Sequence, residues 1–171
     1  MDSHSLPLLK VALVAGKLNF KGYDKFVCDM PFSMNATEKV VSIELASKVA
    51  TVVNLFRQQF PDAKSDLSPW CNDPETKSRL DPESIDLSFS FPGINQRISS
   101  RCILVQLRFQ NNTLVGIDAS GFSYQGRQWQ FSTIGNWEYV GQYPPSSQLA
   151  DRFKQFCRDV FTLFLAPSDL G

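Results

Sequence analysis

Histidine is almost missing from this chain: its one copy in 171 residues is His4, close to the start. That removes the usual general base for activating a serine or cysteine. The four cysteines, Cys28, Cys71, Cys102 and Cys157, stand far apart with no C-x-x-C pair. A structural zinc wants clustered thiolate or imidazole ligands, so neither a metal site nor another cofactor is expected. "GKLNFKG" has two glycines at the wrong spacing for a phosphate-cradling loop. The opening "MDSHSLPLLK" lacks the basic region and long apolar run of a secretory signal, which argues against a disulfide framework. Apolar runs such as "VALVA" are far too short to span a bilayer. These absences favour a soluble protein with a cytoplasmic address, with an organellar stroma or matrix open for a mature chain. In such a compartment the sequon matches at Asn35 and Asn111 carry no weight.

An excess charge of one sign is missing too. Seventeen Lys and Arg balance seventeen Asp and Glu. No whole-molecule attraction to phosphate backbones results, no dense basic patch is visible, and a nucleic-acid partner is not expected. Low self-repulsion suits a stable protein partner instead. With 43% hydrophobic and 20% charged residues the chain is globular. Its length suits one domain over 1–171, with a flexible tail at 1–7.

What is present is pattern. Residues 8–15 and 18–30 read as extended chain. "NATE" places Asn35 as a helix cap with Glu38 three residues on. Val41, Leu45, Val49, Val52, Phe56 and Phe60 then form one helical stripe, which Pro61 ends. Residues 61–83, rich in proline and acids, read as a long loop with a short helix opening at Asp73-Pro74. "SIDLSFSF" alternates strictly, with Ile85, Leu87, Phe89 and Phe91 on one side, as in a half-buried strand. "RCILVQLRF" repeats the scheme, Asn111-Asn112 suits a tight hairpin, and "TLVGIDA" returns with Val115 and Ile117 inward. Gln125-Gly126 marks another turn, and a strand follows from Arg127. Ser146 or Ser147 caps a last helix carrying Leu149, Phe153, Phe156, Val160, Leu163 and Phe164. The expected fold is α+β: an antiparallel sheet of about five to six strands covered by the long first helix and the C-terminal helix. A helix-grip-like arrangement fits the same order.

Four residues stand out as candidate binding groups. Trp137 and Tyr139 follow the turn signal Gly135-Asn136, where a bulge would redirect the tryptophan toward a ligand or partner; ordinary core packing is the competing reading. Trp70 sits in the long loop as either an interaction anchor or a pin for that loop. Cys71 beside it is a candidate nucleophile or attachment site, although no histidine is at hand to activate it. Asp62, Asp66, Asp73, Glu75, Asp81 and Glu83 crowd the loop without the spacing of a calcium site. The reading favoured is a non-enzymatic accessory or binding protein, such as an assembly or regulatory factor, acting on a protein partner through its sheet face and the 61–83 loop. The alternative is a carrier or modifier of an apolar or aromatic small molecule held between sheet and C-terminal helix.

Overall fold

The computed structural model describes residues 36–69, 83–95 and 100–165. Both tentative strands at 8–15 and 18–30, the Asn35 cap, Trp70, Cys71 and the short helix after Asp73 fall outside them. The described chain is α+β, as expected. A short helix α1 (Ala36–Lys39) and a long helix α2 (Ile43–Gln59) come first. Strands β1 (Lys64–Asp66), β2 (Ser84–Asn95), β3 (Ser100–Gln110), β4 (Thr113–Ser123), β5 (Gly126–Ser132) and β6 (Tyr139–Gly141) follow. Helix α3 (Ser147–Phe164) closes the order. The six strands form one antiparallel sheet in sequence order, β1 to β6, so every neighbour in the sheet is a neighbour in the chain.

The first helical stripe is not one helix. The Ser42 hydroxyl accepts the Leu45 N–H at 3.1 Å and restarts the helix after an extended residue, with φ −133° at Ser42. A side-chain cap of this kind satisfies a first-turn donor and fixes a new helical phase. Val41 falls in the break and is 82% exposed instead of facing the core. From Leu45 the expected stripe holds: Val49, Val52 and Phe56 are buried, and the helix stops at Phe60 before Pro61. Helix α3 buries Leu149, Phe153, Phe156, Cys157 and Val160, and its backbone starts at Ser146 without a side-chain cap.

Three features of the sheet depart from the sequence reading. Part of the 61–83 loop is strand, since Lys64, Ser65 and Asp66 pair with Ser90, Phe89 and Ser88. In β4, Arg108 pairs with Gly116 but Phe109 with Leu114, so Val115 is the extra residue of a bulge. Leu114 therefore takes the inward place expected of Val115, which is 44% exposed. Finally, β2 is buried on both sides, with Ser84, Asp86 and Ser88 enclosed as well as Ile85, Leu87, Phe89 and Phe91. The Asn111-Asn112 turn is as expected, with φ of 49° and 63° at a tight hairpin.

Both long helices pack on one face of the sheet. Phe56 stacks flat on Phe89 at 3.6 Å, and the edges of Phe153 and Phe156 approach the Phe56 ring at 6.3 and 5.2 Å. Phe153 also meets Trp129 and Phe131, which carries the cluster across to β5. Deleting the Phe56 ring leaves a cavity where three elements converge. Phe56→Ala is expected to cost about 3–5 kcal/mol, read as a lowered urea midpoint with unchanged cooperativity. A cost below about 1 kcal/mol would contradict this packing.

Candidate functional site

Of the four residues singled out in the sequence, the structure brings two together. Tyr139 lies opposite Phe131 in the β5–β6 pair, and its ring packs on Trp129 and Phe131 at 5.3 and 4.7 Å. Its hydroxyl donates to the Ala150 carbonyl of α3 at 3.4 Å. Trp137 follows the turn at 133–136 and takes a left-handed backbone, φ 57°. This conformation is costly for a bulky residue and persists where surrounding contacts fix it. Here those contacts are Phe131, perpendicular at 6.2 Å, Phe161 of α3 at 6.2 Å, and the Arg158 guanidinium at 5.7 Å. Both rings thus tie the end of the sheet to α3.

Between sheet and α3 a small cavity is lined by Phe60, Ile103, Trp129, Tyr139, Leu149 and Phe153. Its volume of about 10 Å³ is room for roughly one water molecule. Trp137 does not line it. The groups on this side are held neutral by burial. The Cys157 thiol is pushed far above its ordinary 9.0, and the Tyr139 phenol far above 10.0, in both cases mainly by removal from water.

The second face of the sheet is built in rows that the strand register lines up. Asp86, Gln106, Asp118 and Ser132 stand side by side on β2 to β5. Asp86 is fully buried and accepts from the Ser84 hydroxyl at 2.7 Å and the Gln106 amide at 3.1 Å. Asp118 is bridged by the Arg108 guanidinium at 3.0 Å. Cross-strand bonds of this kind set strand register. The pair at Asp118 is partly exposed and contributes about 1 kcal/mol or less, while removing the Asp86 acceptor takes a bond from the buried Ser84 hydroxyl and the part-buried Gln106 amide at a larger cost. Among the described residues no three His, Cys, Asp or Glu side chains gather where a metal ion could be held. No helix among them is long and apolar enough to cross a membrane.

One end of this second face is open. Lys64, Ser90, Cys102, Phe122 and Arg127 form a row across β1 to β5. Lys64, Ser90 and Arg127 are exposed, and Cys102 and Phe122 are half-buried. At the adjoining rim Tyr124, at the tip of the β4–β5 hairpin, is 80% exposed, yet its ring is held by the Arg101 guanidinium at 4.0 Å. Burial pushes the Cys102 thiol up, against a hydrogen bond with Ser88 that lowers it. The sequence singled out neither Tyr124 nor this row. The turn signal at Gln125-Gly126 pointed to the hairpin, but alternation alone does not reveal which cations a register aligns.

A family model described as a domain of unknown function matches residues 37–166. The chain belongs to that family. No curated protein and no solved structure matches it. The matched span starts inside α1 and runs past α3, so all six strands and the open row lie within the family's domain.

The buried thiols and phenol give the fold a pH dependence of definite sign. Cys157 and Tyr139 stay protonated in the folded chain while their unfolded counterparts ionise above about pH 9 and 10. Above pH 9 the unfolded state therefore binds fewer protons, and stability falls as pH rises. The melting temperature is expected to drop between about pH 9 and 11, and less steeply in Cys157→Ala. A melting temperature that rises over that window would contradict the burial of these groups.

Proposed function

We propose that this protein is a non-enzymatic accessory or binding protein that holds a protein partner against the open end of the sheet's second face. The observation that carries this reading is Tyr124, a large ring almost fully exposed and yet fixed by Arg101 at 4.0 Å. An exposed aromatic that is already ordered loses little freedom when a partner covers it. Tyrosine and arginine are also the residues on which interface energy concentrates. The half-buried Phe122 and Cys102 beside it add apolar surface on a rigid sheet. Lys64–Asp66, read as loop from the sequence, is the edge strand of this sheet and adds to the same face.

A carrier of an apolar small molecule would need a cavity of some hundreds of Å³ between sheet and α3. The space found there among the described residues suits about one water, and nothing else observed favours that reading. The binding reading is tested by purifying the tagged full chain and its Tyr124→Ala variant in parallel from source cells. A partner is expected to co-purify with the unaltered chain and to fall about tenfold in the variant, as for a contact of about 1.4 kcal/mol. No partner, or equal recovery with both, would overturn the reading.

A further inference from the structure

Among the described residues no carboxylate forms an ion pair with the cations around the open row. Lys64 stands at one end of the row and Arg127 at the other, with Ser90, Cys102 and Phe122 between. Neighbouring strands lie about 4.8 Å apart, so the two cations are roughly 19 Å apart at the backbone. Arg101 adds a third charge at the rim, under Tyr124. Among the described residues no ion pair reaches Lys64, Arg101 or Arg127. Asp118 of this face is paired with Arg108 at 3.0 Å, and Asp86 is bonded to Ser84 and Gln106. Asp66 accepts the Ser68 N–H at 2.9 Å and its charge is felt at Cys102, but it forms no ion pair with Lys64. In the neighbouring row Ser88 and Leu104 are buried, while Asp66 at one end and Gln130 at the other are exposed.

Resting on the binding reading above, we propose that the partner docks through an acidic segment laid across this row. An extended stretch of about six residues spans the distance from Lys64 to Arg127. Carboxylates near its two ends would meet Lys64 and Arg127, and an apolar side chain between them would cover Phe122 and Cys102. Opposed charges fix the register of such a segment and speed its capture. A nucleic acid is disfavoured, because three cations on a chain of zero net charge release few counterions.

The test uses the full chain and a fluorescein-labelled peptide with two glutamates at each end and Leu-Phe in the middle. Fluorescence anisotropy at low salt is expected to show saturable binding, with Kd below about 1 mM. Binding should weaken about tenfold or more in the double variant Lys64→Glu, Arg127→Glu, and also at about 300 mM salt. The matching peptide with lysines for glutamates should not bind. Both substituted residues are exposed, so the variant should melt like the unaltered chain, which separates lost binding from lost folding. No saturable binding, binding indifferent to the charge reversal, or tighter binding of a short single-stranded DNA would overturn the proposal. So would a dimer of the chain that the charge reversal dissolves. If the double variant still recovers the same partner from source cells as the unaltered chain, the acidic-segment proposal falls while the binding reading stands.

Discussion

The flat stack of Phe56 on Phe89, ring centroids 3.6 Å apart, joins α2 to β2. From α3 the edges of Phe153 and Phe156 close on the same ring, and Phe153 continues to Trp129 and Phe131. One aromatic node thus holds two helices and two distant strands. Edge-to-face contacts have geometric preferences, so the node sets the relative positions of its elements as well as burying area. Trp137 and Tyr139 extend it, pinning the sheet's last strand onto α3.

With one face committed to that node, the other carries what distinguishes this sheet. Its enclosed part is polar and internally bonded, around Asp86 and the Arg108–Asp118 pair. Its open part is a row bounded by cations, with an ordered tyrosine at the rim. A packed core of this kind is rigid and stays as it is when something binds outside it. On the reading proposed above, recognition belongs to the second face, while the first holds the fold together.

Much of this was legible in the residues. Alternation, strict in "SIDLSFSF" and looser in "RCILVQLRF", is a signal of period two, and both segments are strands. The two asparagines of the β3–β4 turn tolerate positive φ and marked the hairpin directly. Other features escaped because they break periodicity locally. Ser42 restarts a helix within an otherwise continuous stripe, and only its side-chain geometry reveals it. Val115 and Leu114 are equally apolar, so the bulge that exchanges them leaves no trace in composition. Lys64–Asp66 has no apolar alternation and becomes a strand through pairing with β2 alone. The open row was hidden for the same reason: its members lie on five strands and meet only through register.

The central claim is that the partner is held on the open end of the second face and not on the exposed side of the helices. The most direct test places a photo-crosslinking benzoylphenylalanine at Gln125, beside Tyr124 at the hairpin tip, in one chain and at Gln155 of α3 in another, with illumination in source cells. Both positions are exposed, so neither substitution disturbs the core. The account predicts a crosslinked partner from position 125 and none from position 155. A crosslink from position 155 alone would contradict it.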